Sequence, residues 1–429
     1  MNICIIGGGA AGMMCAITAA RQGGDVTVIE KNEKLGKKIY ITGKGRCNLT
    51  NSTDFDGYMN NIVTNKKFLY ASLKDFDSEK CMEFFESLGL KLKVERGNRV
   101  FPQSDKSSDV IKVLERELHR LGVNVRLNEK VLKITAENGK IAEVITDKNA
   151  YRPDRTVICT GGLSYPATGS TGDGLRFAAA LGHTIIPPVP ALCGLTVGYA
   201  LNGKGEKIPI ASLPYPQGLS LKNVSASVLQ IESKRRLFYE FGEMLFTENG
   251  VSGPIILTLS SKINRINPQS ILLEIDLKPA LSESKLDERI LRDFENAKNK
   301  MLRNALYELL PSSMVPFILA LSGINPDKTV NSVSREERKT LVRLLKNLTL
   351  VLFGTEKIET AIVTSGGVSV KEINPKNMQS KLIGNLSFAG EAIDVDALTG
   401  GFNLQLAFAT GYAAGKHIYE NNAEKEKKL

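Results

Sequence analysis

Three glycines near the N-terminus have the spacing of a phosphate-binding turn. Gly7, Gly9 and Gly12 fit the pattern G-x-G-x-x-G. In that pattern the first glycine allows a tight turn, the second lets the backbone approach a pyrophosphate, and the third lets a helix pack on a strand. The N–H groups of the following helix start, at Ala10 and Ala11, would bind the phosphates. Alone the pattern is weak, because a glycine-rich turn can also simply connect two elements.

The flanking residues supply the elements that would position this turn. Residues 3–6 form an apolar run typical of a buried strand, residues 10–22 favour a helix, and residues 26–29 favour a second strand. Glu30 ends that second strand. Its distance from the glycine motif is close to the ~20 residues expected for the acid that binds a ribose. A carboxylate there accepts hydrogen bonds from ribose hydroxyls and would repel a 2′-phosphate. The sequence therefore predicts an adenosine dinucleotide site for FAD or NAD, rather than a purely structural βαβ unit.

A basic loop with several glycines follows the acid, with the sequence KNEKLGKKIYITGKGRCNLTN over residues 31–51. Its lysines and arginine offer positive charge to a pyrophosphate, although an exposed basic loop would explain the lysines alone. We expect ligand contact from Lys31, Lys38, Gly43, Gly45, Arg46, Cys47 and Asn48. Cys47 beside Arg46 is also a candidate reactive thiol, without a visible dithiol partner.

A second glycine-rich loop follows a second strand of the parallel type. Residues 156–160 form a buried-strand pattern that runs into a loop over residues 161–174, GGLSYPATGSTGDG. Loop backbone followed by a helix start again provides N–H groups for a ligand, and we expect contact from Thr160, Gly161 and Gly162. A long surface loop is the plainer alternative.

The segment between the basic loop and the loop 161–174 supports weaker predictions. Ser104 and Asp105 are placed to cap a helix that ends before Gly122. Asn138-Gly139 predicts a hairpin turn between two strands. The backbone near Val131 could contact an adenine edge, but an ordinary meander strand explains it equally well.

The C-terminal part returns to the pattern of the first elements. A strand over residues 386–391 ends in Gly390 and Glu391, and a polar loop then leads into a helix over residues 404–419. A flavin needs the positive end of a helix dipole near N1 and C2=O, where negative charge accumulates on reduction, and NAD does not. We therefore expect FAD. The further predicted contacts are Asp394, Gly400, Gly401, Asn403 and Leu404.

The middle of the chain predicts an insertion into the FAD-binding domain. We expect a discontinuous FAD-binding domain (1–189 and 355–429), a β-rich insert (190–280 and 346–354) and a helical insert (281–345). Residues 242–256 are interpreted as a turn-rich stretch facing the ligand. The insert has no second G-x-G-x-x-G, which argues against a separate nicotinamide-binding domain.

The composition argues against a membrane protein, a nucleic-acid-binding protein and a metalloprotein. The 429 residues are 42% hydrophobic, with no apolar run approaching the ~20 residues that span a bilayer. The first strand begins so close to Met1 that we expect no signal peptide and a cytoplasmic location without membrane contact. The net charge of +10 comes from scattered lysines, so no nucleic-acid partner is expected. Six dispersed cysteines and three histidines predict no metal site.

Taken together, these segments resemble the BaiN/YhiN-type family of FAD-dependent oxidoreductases, which includes aminoacetone oxidases. The marks are GGGAAG, KKIYITGKGRCNLTN, the loop 161–174, GEMLFTENGVSGP, TSGGV and GEAIDVDALTGGFNLQLAFATG, in that order. The resemblance implies an α/β fold, with noncovalent FAD on a Rossmann-like, glutathione-reductase-like domain. That domain would be interrupted by a β-rich, barrel-like domain and a small helical domain. This chain has Thr247-Glu248-Asn249-Gly250 where relatives commonly have T-H-x-G, and Lys44 where a glycine is frequent.

The resemblance also implies roles for individual residues. Gly7, Gly9 and Gly12 would hold the pyrophosphate. The other implied contacts are Glu30 at the adenosine ribose, Val131 at the adenine, Glu391 at the ribityl chain, and Gly401, Asn403 and Leu404 beside the isoalloxazine. Catalytic residues stay unknown. Tyr165, Arg46, Cys47 and Glu248 are candidates on chemistry alone, and each is more often structural.

The expected reaction is hydride exchange between flavin N5 and a small organic substrate, with NADH or NADPH as a possible electron donor. We favour reduction of an activated C=C bond in a bile-acid or steroid enone, because the stretch 160–182 also resembles that of fumarate-reductase-type flavoproteins. One alternative is an oxygen-dependent amine oxidase of the aminoacetone type, which makes hydrogen peroxide. Another is an RNA-linked or non-catalytic flavin-binding protein. The oligomeric state is left open.

Overall fold

A computed structural model describes residues 1–420 of the chain. The last part of the predicted FAD-binding domain, residues 421–429, lies outside the described residues. The chain divides into two compact units: the first contains Met1–Ala191 and the chain from Lys357 onward, and the second contains Leu192–Glu356. The division of the insert into a β-rich and a helical domain stays a prediction.

The elements follow the chain in three stretches. Before residue 192 they are β1 (Asn2–Ile6), α1 (Ala10–Arg21), β2 (Asp25–Ile29), α2 (Lys37–Ile41), β3 (Thr50–Asn51), α3 (Phe55–Asn61), β4 (Ile62–Thr64), α4 (Tyr70–Asp75), α5 (Ser78–Ser87), β5 (Leu92–Glu95), β6 (Arg99–Pro102), α6 (Ser107–Arg120), β7 (Asn124–Arg126), β8 (Val131–Glu137), β9 (Lys140–Thr146), β10 (Ala150–Tyr151), β11 (Arg155–Ile158), α7 (Asp173–Ala180) and β12 (Ile185–Ala191). The second unit has β13 (Leu195–Leu201), β14 (Lys207–Pro209), β15 (Ser220–Gln230), β16 (Arg236–Thr247), β17 (Gly250–Ser252), α8 (Pro254–Ile263), β18 (Ile271–Asp276), α9 (Glu283–Glu295), α10 (Leu302–Ala305), α11 (Met314–Ser322), α12 (Arg335–Lys346) and β19 (Leu348–Thr355). The last elements are β20 (Val363–Val368), β21 (Leu386–Phe388), β22 (Asp396–Ala397) and α13 (Phe402–Lys416).

A parallel sheet in the order β21-β11-β1-β2-β7 forms the centre of the first unit. Ile5 of β1 lies opposite Val28 of β2 on one side and Val157 of β11 on the other, and all three side chains are fully buried. Strands buried on both faces need this continuous apolar composition. The predicted Rossmann-like α/β fold is confirmed.

Helices α1 and α13 pack against each other through glycines. A Cβ atom on Gly411 would lie 2.3 Å from the Ala11 carbonyl oxygen, and one on Gly415 would lie 2.6 Å from the Cys15 carbonyl oxygen. The contact advances by four residues in the same direction on both helices, so they run parallel. Because α13 begins nine residues before Gly411, its N-terminus extends about 12 Å beyond that of α1 at 1.5 Å per residue.

The second unit is built on an antiparallel barrel. Strands β13, β17, β16, β15, β18 and β19 pair in sequence, and β19 pairs back to β13 to close the ring. One apolar cluster joins strand residues such as Leu273 to helix residues such as Phe317 and Leu341. The expectation of a turn-rich stretch over residues 242–256 is wrong, because this stretch contains the β16–β17 hairpin and the start of α8.

Two local expectations in the first unit have different outcomes. The Asn138-Gly139 hairpin is confirmed, with both residues in the left-handed region between β8 and β9. The expected cap by Ser104 or Asp105 is wrong, because Lys106 precedes α6 and no side chain caps that helix. Asp105 instead pairs with Arg46 and Lys93.

The described residues contain neither a membrane-spanning helix nor a metal-binding cluster. Among residues 1–420, no helix combines the length and apolar character that crossing a membrane requires. The same residues contain no cluster of His, Cys, Asp and Glu side chains that could hold a metal ion. All six cysteines lie in this part of the chain as buried free thiols.

The Gly411 contact leads to a stability prediction. Gly411→Ala should gain about 1 kcal/mol from helix propensity. Displacing α13 from the Ala11 carbonyl should cost more, about 1–3 kcal/mol, so the free energy of unfolding should fall. Urea denaturation of the full chain measures the change. Gly384→Ala is the control, since its Cβ would have no neighbour closer than 3.7 Å. A more stable Gly411→Ala variant would show that the helices are not in close contact.

A buried carboxylate makes the free energy of unfolding depend on pH. Glu117 of α6 is paired with Arg120 and with Arg21 of α1, and these partners lower its pKa to about 2. The stabilisation is complete above the ordinary pKa of about 4.5 and is lost as the pH falls from there toward 2. With allowance for the partly exposed arginines, Glu117→Gln should cost about 1–2 kcal/mol at pH 7. Urea titrations at pH 7, 5, 4 and 3 should show this difference shrinking only below pH 4.5.

Candidate functional site

Two glycines of the glycine turn are required by close packing, and a third faces open space. Gly7 has a φ of +106°, and its Cβ would lie 2.6 Å from the Cys159 carbonyl oxygen. A Cβ on Gly12 would lie 1.9 Å from the Gly7 carbonyl oxygen. Gly9 is different, since its Cβ would meet no atom within 4 Å. The turn is therefore closed on the protein side and open at Gly9, as close backbone approach by a ligand requires.

Helix α1 begins at Ala10 directly behind this open side. No side chain caps its N-terminus, and its first turn contains no acidic residue. The N–H groups of Ala10 and Ala11 therefore retain the partial positive charge of a helix N-terminus. A cradle of open glycine and uncapped helix fits the pyrophosphate of a dinucleotide.

Glu30 is ordered by the same turn. Its buried carboxylate accepts hydrogen bonds from the Gly8 N–H at 2.8 Å and from the backbone and side-chain N–H groups of Asn32 at 2.8 and 2.6 Å. The acid therefore braces the glycine turn before any ligand is considered. Sequence patterns did not identify Asn32, because an asparagine two residues after a strand has many other roles.

The N-terminus of α13, like that of α1, has no side-chain cap. Gly401 precedes it with a φ of +97°, and a Cβ there would lie 2.3 Å from the Thr50 carbonyl oxygen. Asn51 donates to the Gly400 carbonyl, and the Asn403 side chain binds the backbone of Ala397. These contacts fix the loop before the helix, while Leu404 lies half-buried in its first turn.

Asn48 lies directly beside this helix start. Its Oδ1 would be 2.9 Å from a Cβ on Gly401. That oxygen is fully buried and accepts no hydrogen bond from any residue among 1–420. A buried acceptor without a donor is costly, so the site is suited to a ligand that supplies one.

Four sequence segments meet at Glu391. Its carboxylate accepts from Lys38 Nζ at 2.6 Å, from the Thr364 N–H at 2.7 Å and from Ser164 Oγ at 3.0 Å. Lys38 also donates to Ser164. Lys38 is therefore paired within the site and is not a free cation. Gly162 belongs to the same junction, since its Cβ would lie 2.4 Å from Thr364 Oγ1.

The other predicted cations are also paired. Lys31 donates to Asp173 at 2.7 Å and to Thr171 at 2.6 Å. Arg46 binds Glu95 and Asp105, and these hydrogen bonds raise its pKa. Both side chains are therefore neutralised within the chain, and their contact with a ligand stays a prediction.

The predicted thiol and the acid–base candidates differ in burial and in position. Cys47 is fully buried, and burial raises its pKa to about 12, which favours the structural interpretation of this cysteine over a reactive thiol. Glu248 is exposed in the β16–β17 turn of the second unit. Tyr165 is half-buried in the loop 161–174 and has a φ of +53°.

The remaining predicted residues lie in the first unit. Val131 begins β8 and is buried. Thr160 has a buried Oγ1 without a hydrogen-bond partner among residues 1–420. Asp394 accepts hydrogen bonds from Asn65. The other predicted glycines, all with positive φ, are Gly43, Gly45, Gly161, Gly390 and Gly400.

Known proteins resemble this chain over nearly its whole length. The family model described as the HI0933-like protein Rossmann domain matches residues 1–417. The 3-dehydro-bile acid delta(4,6)-reductase of Clostridium scindens is 32% identical over 98% of this chain and 99% of its own length. A ribosomal RNA dihydrouridine synthase of Haemophilus influenzae is 30% identical over 96% of this chain and 97% of its own.

Among solved structures, the 3-ketosteroid-delta4-(5alpha)-dehydrogenase of Rhodococcus jostii superimposes with a TM-score of 0.52. It shares 13% identity and covers 97% of this chain and 96% of its own, so this likeness concerns the fold. The family model and the near-full-length relatives agree on the family of this chain. The chain belongs to the HI0933-like family of Rossmann-fold flavoproteins and is an FAD-dependent oxidoreductase.

Proposed function

We propose that this oxidoreductase reduces a carbon–carbon double bond conjugated to a carbonyl group. The observation that carries the proposal is the near-full-length similarity to a 3-dehydro-bile acid delta(4,6)-reductase. A dihydrouridine synthase relative supports the same bond type, because the double bond of uracil is conjugated to a carbonyl and is saturated in dihydrouridine. The favoured substrate is a steroid-like enone, with NADH or NADPH as the electron donor.

The geometry of the first unit supports a set of proposed cofactor contacts. We propose that the open side of the turn at Gly9 and the N-terminus of α1 hold the FAD pyrophosphate. Glu30 would accept from the adenosine ribose, Val131 would contact the adenine, and Glu391 would accept from the ribityl chain. Gly401, Asn403 and Leu404 would lie beside the isoalloxazine.

Each part of the chain has a distinct task in this reaction. When bound and reduced by NAD(P)H, the flavin would supply a hydride from N5 to the β-carbon of the double bond. A proton would add to the α-carbon, so that the substrate gains two hydrogens and the flavin returns to its oxidised form. The uncapped N-terminus of α13 would stabilise the negative charge that builds near N1 and C2=O. Lys38 holds the Glu391 carboxylate in one orientation. NAD(P)H would bind only transiently, since the insert has no second dinucleotide motif.

A charge placed at Gly9 tests the pyrophosphate assignment. Gly9→Asp should weaken FAD binding by at least about 100-fold, because like charges in close contact cost several kcal/mol. The apoprotein should fold normally, since a Cβ at Gly9 meets no atom within 4 Å. FAD titration and thermal unfolding of the FAD-free chain measure the two effects.

Gly9→Ala is the matched control for this test, because it adds the Cβ without the charge. It should lose much less affinity than Gly9→Asp. Equal FAD affinity in Gly9→Asp and the wild type would place the pyrophosphate elsewhere.

Anaerobic flavin reoxidation tests the reaction class. The protein is reduced with NADH or NADPH and mixed with a 3-oxo-4-ene steroid carboxylate, with a saturated 3-oxo steroid carboxylate as the control. The enone should reoxidise the flavin and gain two hydrogens by mass spectrometry, and the saturated ketone should do neither. Peroxide and ammonia from aminoacetone and oxygen, without enone turnover, would replace this proposal with an amine oxidase.

Ribosomal RNA is a second candidate substrate, favoured by the 30% identical dihydrouridine synthase relative and the net charge of +10. In the same assay, unmodified ribosomal RNA would gain 2 Da at a uridine if this candidate is correct. Its retention would also weaken steeply as salt is raised. Turnover of RNA without turnover of the enone would move the assignment to RNA modification.

A further inference from the structure

The loop that contains Asn48 is held in an unusual backbone conformation. Gly43, Lys44, Gly45 and Cys47 all have positive φ, at 57°, 58°, 84° and 61°. Two of these are not glycines, and such a conformation persists only where the surroundings impose it. Buried Cys47 anchors the loop on one side, donating its N–H to the Thr42 carbonyl at 3.0 Å.

The other side of the loop is held by the Arg46 side chain. The guanidinium donates to Glu95 at 2.5 Å and, through Nε, to Asp105 at 2.8 Å, and its carbon lies 4.2 Å from the centre of the Phe101 ring. Lys93 donates to Asp105 as well and completes a group of two cations and two carboxylates. This arrangement fixes the direction and the rotation of the Arg46 side chain, as a planar guanidinium allows.

Two residues after Arg46, the loop presents the buried Asn48 Oδ1 beside the N-terminus of α13. The oxygen has no donor among residues 1–420, and the adjacent helix end favours negative partial charge. A ligand matches both features if it places an N–H group next to a carbonyl oxygen. The pyrimidine edge of a flavin has this pattern, since N3–H is flanked by C2=O and C4=O.

We propose that Asn48 Oδ1 accepts the hydrogen bond of the flavin N3–H and that Arg46 is the positioning residue that holds Asn48 there. The proposal rests on FAD binding by this chain and not on which substrate is reduced. Arg46 thus acts through the shape of the loop, and its charge is neutralised by Glu95 and Asp105.

FAD affinity and the flavin reduction potential test the Asn48 role without any turnover. Asn48→Ala should weaken FAD binding by about 3- to 10-fold, the effect of one lost hydrogen bond. Asn48→Asp should shift the reduction potential to a more negative value than Asn48→Ala, because a carboxylate opposes the charge gained on reduction. Unchanged affinity and potential in both variants would overturn the proposal, and enone turnover does not enter either measurement.

A double-mutant cycle tests the role of Arg46. Arg46→Gln should weaken FAD binding in the wild-type background and have no further effect once Asn48→Ala is present. Arg96→Gln, at an exposed position in the turn after Glu95, is the matched control and should change nothing. Additive losses would show that Arg46 does not act through Asn48. If Arg46→Gln destabilises the FAD-free chain, Lys93→Gln replaces it in the same cycle with the same expected coupling.

Discussion

The close parallel contact between α1 and α13 is the interaction on which the cofactor half of the molecule depends. Gly411 and Gly415 let the two backbones approach where any larger residue would meet a carbonyl oxygen. The two helix starts are about 390 positions apart in the sequence, and this contact directs both toward the same side of the unit. With one N-terminus about 12 Å beyond the other, two helix dipoles can act on two electronegative groups of one extended ligand.

The charged side chains of the basic loop form ion pairs within the chain. Lys31, Lys38 and Arg46 each have a carboxylate partner in the folded chain. Their pairing connects the basic loop to Asp173, Glu391 and Glu95, which lie far away in the sequence. The uncapped starts of α1 and α13 offer backbone N–H groups, which would cost no side-chain entropy on binding an anion.

Local patterns predicted the parts of this site that depend on local geometry. The strand, glycine turn and helix around Gly7 follow from spacing and apolar periodicity, and the start of α13 follows from a glycine-rich polar loop before a helix. The partners of Arg46 could not be predicted in this way, because Glu95 and Asp105 lie 49 and 59 positions away and are brought near by tertiary packing. Asp105 illustrates the difference, since its local context indicates a helix cap and its actual role is to bind two cations.

The proposed reaction class has more support than the proposed substrate, because both candidate substrates need the same chemistry. Hydride addition to a conjugated double bond requires a hydride donor near the β-carbon and stabilisation of the charge on the carbonyl side, and these needs are the same for a sterol and a uracil. Recognition of RNA additionally requires clustered, free cations that neutralise phosphates. In the basic loop of this chain Lys31, Lys38 and Arg46 have internal carboxylate partners, so these three cations are not free to neutralise RNA phosphates. That difference is why the steroid-like enone is favoured over ribosomal RNA.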